Sequence, residues 1–355
     1  MKIPHPINSM RRNIMRSLTK NIGNSNSKAE FEKTDPNEIK RVLICRPNHR
    51  LGNLLLITPL LQEIEERFPN AKVDLFVKGG IAPVIFKNYE SVDRVLQLPK
   101  KPFSSLLQYM AVWFKLKARK YDVVINVDRK SSSGRLSTKI ANARFKFFGD
   151  NCECISATEP DARHIAKSPV YELRDGFCQT TVFPVVPKLN LKLSLDELQD
   201  GAKNLKEIFN NDKKTISIFT FATGRKCYDQ NWWLAFYTNL KEQYPDYNIV
   251  EILPVENVSQ IGFRAPIFYS KDIREIASVI ANTEVFIGAD SGIMHLASAS
   301  QTDTMGLFCV TDETKYKPYN GRSLAVNTNS SGPNEWFTAL QQILATYCVI
   351  LNEVL

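Results

Sequence analysis

The stretch "LICRPNHRLGNLLLITPLLQEI", Leu43 to Ile64, decides the fold. It opens inside an apolar run, Val42–Cys45, that breaks at Arg46-Pro47. After a polar loop it resumes past Gly52 as an amphipathic stretch. This is strand, turn and helix, the junction at which open α/β sheets place their chemistry. A turn that moves protons needs an ionisable group. This one holds Asn53, whose amide is no base at neutral pH.

Outward from that junction the same alternation continues. "AKVDLFVKGG", "DVVINVD" (Asp122–Asp128) and "RFKFFGD" (Arg144–Asp150) read as further strands, with helices over Asn53–Phe68 and near Leu136–Ala143. From Asn151 to Pro187 the pattern dissolves into a polar, Pro-containing stretch, and 194–210 reads as a helical connection. A second series follows: strands "TISIFTFA", "YNIVEIL", "EVFIGAD" and "DTMGLF", with helices at Trp232–Tyr244, Asp272–Ala281 and Gly292–Ser300. Such alternation predicts an α/β protein with parallel sheets covered on both faces. Two successive series in 355 residues predict two Rossmann-like domains facing a cleft. The expected boundaries are a tail and linker over 1–38, an N-terminal domain over 39–190 and a C-terminal domain over 191–333. A final helix in 334–355 is long enough to pack back on the N-terminal domain.

Composition is that of a soluble globular chain, and no run of eighteen apolar residues offers a membrane span. Seven scattered cysteines point to reduced thiols in a cytoplasmic protein, and the C-x-C pair Cys152/Cys154 lacks the usual zinc spacing. Of the formal charge of +9, six positive charges sit in residues 1–28 (Lys2, Arg11, Arg12, Arg16, Lys20 and Lys28), which carry no acid. A nucleic-acid groove would spread its cations through a folded domain, so nucleic acid is not an expected partner. Within the tail, Ile7, Met10, Ile14 and Leu18 recur at helical steps opposite the arginines. That is a basic amphipathic helix suited to an anionic membrane surface. The alternatives are a solvated terminus or an organellar transit peptide; a secretory signal would need an apolar core that is missing. Gly23 to Asn37, small and polar, reads as a linker.

Three turns carry chemistry. The first is "NHRLGN", with His49 and Asn53. The second, in "FATGRKCYDQNWW", offers Thr223, Gly224, Arg225 and Lys226: backbone amides, a hydroxyl and two cations that suit a diphosphate. Loops of this composition are commonly just solvated. The third, in "FIGADSGIMHLASAS", is the most specific. Asp290 ends a buried strand, Ser291 and Gly292 make the turn, and His295 lies one turn into the helix. Gly292 would let a ligand approach the backbone, and Ser291 with the first helical N–H groups would hold phosphate. Asp290 would repel that phosphate and instead meet a sugar hydroxyl beyond it. The structural alternative makes Asp290 a helix cap and His295 a packed histidine.

"VLICRPNHRLGNLLLITPLLQEIEERFPNAKVDLFV" and "EVFIGADSGIMHLASASQTDTMGLF" together resemble the ADP-heptose:lipopolysaccharide heptosyltransferases, glycosyltransferase family nine. The D-[ST]-G-x-x-H-x-A pattern falls at Asp290, Ser291, Gly292, His295 and Ala297, paired with Gly52, Thr58 and Pro59 of a G-x-x-x-x-T-P helix. The resemblance implies a GT-B fold, with the acceptor on the N-terminal domain and the nucleotide-sugar on the C-terminal one. It implies inverting, metal-independent transfer of a sugar, typically heptose from ADP-heptose, onto a lipid-linked saccharide acceptor. The setting would be the cytoplasmic face of the inner membrane, and no cofactor is expected.

The chain departs from that family where the general base is usually Asp: here stands Asn53. It departs again before Trp232, where Gln230 and Asn231 replace a nearby Lys. Asn53 can still cap the Leu54 helix and bond a sugar hydroxyl. His49, in the same loop, and Asp128, at a neighbouring strand end, are the replacement bases. Two rivals stand beside a transferase: a nucleotide-sugar epimerase on the same fold, and a non-catalytic nucleotide-sugar-binding relative, for which Asn53 is the best argument.

Overall fold

The computed structural model describes residues 17, 19, 21–23, 28–100, 105–149, 159–176 and 184–352. The amphipathic pattern from Ile7 to Leu18 and the cysteines at 152, 154 and 178 lie outside the described residues. The chain divides into two compact units, 1–49 with 59–187 and 50–58 with 188–355.

The N-terminal unit is built on a five-stranded sheet in the order β3-β2-β1-β4-β5. Its strands are β1 (Arg41–Arg46), β2 (Lys72–Lys78), β3 (Val92–Leu98), β4 (Lys120–Asn126) and β5 (Asn142–Phe147), all parallel. Val42, Leu43, Ile44 and Cys45 are fully buried, as expected of a parallel strand covered on both faces. Burial also pushes the Cys45 thiol up to about 11, which makes it inert. Helix α1 (Leu51–Leu55) follows β1, and α2 (Thr58–Arg67), α3 (Leu106–Ala118) and α4 (Ser132–Ile140) complete the layers.

The polar stretch after β5 contains a helix that its sequence concealed, α5 (Ser168–Gly176). Its Arg174 forms a buried pair with Glu63 of α2 at 2.7 Å. Its Glu172 accepts the Gly149 N–H at 2.7 Å. These bonds, together with the burial of Val170, Tyr171 and Leu173, hold the segment. The linker expectation is also corrected: Phe31 is fully buried, with its ring 4.7 Å from that of Phe145 and 5.0 Å from Phe147. Upstream, the Arg135 guanidinium donates to the carbonyls of Thr19 (3.1 Å) and Ile22 (2.6 Å), anchoring the end of the basic tail.

The C-terminal unit has a six-stranded sheet in the order β11-β10-β9-β6-β7-β8, again parallel. The strands are β6 (Thr215–Phe219), β7 (Asn248–Ile252), β8 (Ile267–Phe268), β9 (Val285–Ala289), β10 (Thr304–Phe308) and β11 (Leu324–Asn327). Around it lie α6 (Leu195–Phe209), α7 (Gln230–Gln243), α8 (Ile273–Ala281), α9 (Gly292–Ala299) and α10 (Pro333–Asn352). The strand order reverses between β6 and β9, the switch point at which such sheets bind ligands. Trp336, Phe337, Leu340 and Ile343 of α10 join the core that holds Trp233 and Phe236. The described half of the final helix therefore serves the C-terminal unit, where packing on the N-terminal domain was expected.

Candidate functional site

The turns after β6 and β9 flank the switch point, and both carry expected site residues. Thr223, Gly224 and Arg225 are exposed, with Gly224–Lys226 forming a short 3₁₀ turn. Gly224 sits at φ +66, and a Cβ there would meet open space. Its backbone conformation, rather than crowding, calls for glycine.

Lys226 turns inward. Its Nζ lies 2.6 Å from Asp290 Oδ2 and 3.3 Å from the Asp290 carbonyl. The same Oδ2 accepts the Thr311 hydroxyl at 2.5 Å. Asp290 is 4% exposed, and this ammonium and hydroxyl are what allow a carboxylate there to remain buried. Within the protein its carboxylate holds a lysine at the switch point. Asp290 is not the helix cap: Ser291 is, its hydroxyl accepting the Met294 N–H at 3.3 Å. The α9 N-terminus keeps its partial positive charge for a ligand.

His295 is buried, with Nε2 3.9 Å from Asp290 Oδ1. That is too long for a hydrogen bond. Burial and the nearby Lys226 push the imidazole down to about 4 against the pull of Asp290, so it is neutral at pH 7. It therefore offers a neutral imidazole rather than a charge.

Gly292 was expected to admit a ligand. A packing reason for glycine is visible as well: a Cβ there would lie 3.2 Å from Leu51 Cβ and 3.3 Å from the Gly52 nitrogen. A Cβ on Gly52 would lie 2.7 Å from His295 Cδ2. The two glycines let α1 and α9 approach closely, which is why residues 50–58 group with the C-terminal unit. Thr58 completes this docking by donating to the Leu55 carbonyl and accepting the Asn190 N–H. Asn53, half-buried, lies inside α1, and the capping position falls to Arg50, which makes no side-chain cap bond. The expectation that Asn53 caps this helix is thereby corrected.

The replacement bases belong to the N-terminal unit. His49 is exposed. Asp128 pairs with the buried Arg46 at 2.7 Å through Oδ2, while Oδ1 accepts the Lys130 N–H at 3.0 Å. Both oxygens thus have structural work, although Asp128 is still 32% exposed. The cap of α4 is Ser131, which accepts the Gly134 N–H. Among the described residues no group of three or more His, Cys, Asp or Glu side chains is placed to hold a metal ion.

Two participants escaped the sequence reading. Thr311 follows β10, the strand beside β9, so asking which strand ends adjoin Asp290 would have found it. Leu51 carries no such signal, because its role is contact across 241 positions with Gly292.

Residues 269–339 match the model of glycosyltransferase family 9 (heptosyltransferase). The chain is 20% identical over 301 residues to the lipopolysaccharide core heptosyltransferase OpsX of Haemophilus influenzae, covering 81% of this chain and 84% of that one. It superposes on a family 9 glycosyl transferase from Veillonella parvula with a TM-score of 0.65 at 16% identity, over 87% of this chain and 91% of the other. The ADP-heptose lipopolysaccharide heptosyltransferase II of Escherichia coli gives 0.61 at 13% identity, over 87% and 99%. The fold is thus GT-B. Sequence and fold together make this chain a relative of the heptosyltransferases of glycosyltransferase family 9.

Proposed function

We propose that the protein is an inverting, metal-independent glycosyltransferase that moves heptose from ADP-heptose onto a lipopolysaccharide or other surface-glycan acceptor. The observation that carries this reading is the cluster in which the buried Asp290 holds the half-buried Lys226 and Thr311 beside the Ser291-capped end of α9. A diphosphate leaving group needs its growing charge stabilised. Lys226, the exposed Arg225, the amides of the 223–226 loop and the α9 N-terminus supply that stabilisation here.

In the reaction an acceptor hydroxyl oxygen attacks the anomeric carbon as the bond to the β-phosphate oxygen breaks. ADP departs with the electron pair, and the hydroxyl proton passes to a base or to water. A positioned base contributes roughly 10²–10⁴-fold. With Asn53 at the usual base position, transfer is slow but real, and His49 is the base in our assignment because it shares the loop and is exposed. Asp128 ranks second, since both its oxygens are already bonded.

The heptose and lipopolysaccharide assignments come from the relatives' substrates. A lipid-linked acceptor places the enzyme at the inner face of the bacterial inner membrane, where the basic tail would serve as an anchor. The test is acceptor-dependent release of ADP from ADP-heptose, with the sugar recovered on a lipopolysaccharide core acceptor. A second reading, a nucleotide-sugar-binding relative without turnover, is favoured by Asn53 and by the pairing of Asp128. Tight ADP-heptose binding with no ADP release would establish it.

A further inference from the structure

We propose that helix α3 (Leu106–Ala118) is a docking surface for an anionic phospholipid bilayer. The inner side of the helix belongs to the N-terminal core: Val112 and Leu116 are buried, and the Trp113 ring stands 5.1 Å from that of Phe76. The outer side is apolar as well. Leu107 is 88% exposed, Phe114 66%, Leu106 58% and Met110 46%. They recur at three- and four-residue steps and so form one stripe along the helix. Single exposed apolar residues are ordinary, whereas a contiguous stripe marks a surface that another phase or molecule covers.

Charge around the stripe identifies the cover. The helix contains no acid, and Lys115 and Lys117 in its last turn are exposed. From Ser105 to Gly149 the chain carries ten basic residues and two acidic ones. Both acids are engaged within the fold: Asp122 accepts the N–H groups of Lys40 and Arg41, and Asp128 pairs with Arg46. Of the ten cations, Arg119 pairs with Asp74 and Asp93 and Arg144 with Glu30, while the exposed Lys115 and Lys117 border the stripe itself; an apolar stripe so bordered complements acyl chains beneath anionic headgroups. A second copy of the chain would instead bring the same cations against one another. The inference deepens the transferase reading, on which it rests for its purpose: a lipid-linked acceptor is met at such a surface.

The test is flotation of the full-length chain with vesicles of phosphatidylcholine alone or mixed with phosphatidylglycerol. The proposal expects salt-sensitive binding to the mixed vesicles. Leu107→Ser with Phe114→Ser should weaken it by about tenfold or more, and Lys115→Gln with Lys117→Gln by less. All four side chains are exposed, so the variants should unfold at the temperature of the parent. Quenching of Trp113 by brominated acyl chains should accompany binding. Three results would overturn the proposal: no vesicle binding by the parent, full binding by the double serine variant, or loss only when Arg11, Arg12 and Arg16 are changed to Gln. A concentration-dependent dimer, abolished by the serine variant while vesicle binding persists, would assign the stripe to self-association and overturn it too. Flotation needs no turnover, so an inactive protein that still binds through α3 would sink the transferase reading and leave this one standing.

Discussion

After β9 the chain places the buried Asp290 and His295 on either side of the half-buried Ser291, with Lys226 and Thr311 brought to the Asp290 carboxylate. After β1 it places His49 at an exposed turn and Asn53 within α1, a helix lacking a side-chain cap. Both junctions are strand, turn and helix at the carboxyl edge of a parallel sheet. One holds a buried carboxylate bonded by an ammonium and a hydroxyl. The other has a close-packed backbone and no fixed base. On the proposed function, the difference makes donor capture and proton removal separable properties, carried by different residues.

Removing Asp290 should break the contrast most severely. Asp290→Ala leaves Lys226 free to swing and the half-buried Thr311 hydroxyl without this acceptor. We expect ADP affinity to fall by about tenfold or more, since Lys226 would no longer be pre-organised toward a diphosphate. Calorimetric titration with ADP measures it, and unchanged affinity would mean the carboxylate has no part in donor capture.

The glycine crossing comes next. Gly52→Val and Gly292→Val each force a side chain into a filled space, against the His295 ring in one case and Leu51 with the Gly52 backbone in the other. Overpacking of this kind costs about 1–3 kcal/mol. Urea unfolding should show it for both, with ADP binding weakened through displacement of α9.

A smaller change tests the acceptor turn. His49→Ala should lower turnover about tenfold without altering ADP affinity, in keeping with the low end of general-base contributions. Indifference to His49 together with collapse in Asp128→Asn would transfer the role to Asp128.

The smallest effect is one of pH. His295 is held near 4 in the folded protein against an ordinary value of 6.5. Between those values the unfolded chain binds more protons than the folded one, so stability falls as pH drops from about 6.5 toward 4. Urea midpoints across that window should slope more steeply for the parent than for His295→Gln.

How much of this was legible follows from where the information lies. β1, β2, β4, β6, β7, β9 and β10 announce themselves because central parallel strands are nearly continuous apolar runs. β3, "VDRVLQL", is an edge strand whose apolar run is broken by Asp93 and Arg94, and β11 has only four residues, so neither stands out. α3 is apolar on two sides and shows little helical periodicity, which hid both the element and its exposed stripe. At the site, Asp290, Ser291 and His295 are legible because they share one turn. Lys226 and Thr311 join them from other strand ends, and the Gly52–Gly292 crossing joins two helices remote in sequence. Such long-range pairings leave no local pattern.

The separation of donor capture from proton removal is tested most directly by Asn53→Asp, with turnover and donor affinity measured on the same preparation. The account predicts that the new carboxylate leaves ADP-heptose affinity unchanged while turnover stays level or rises. A fall in donor affinity, or turnover reduced with affinity intact, would contradict it.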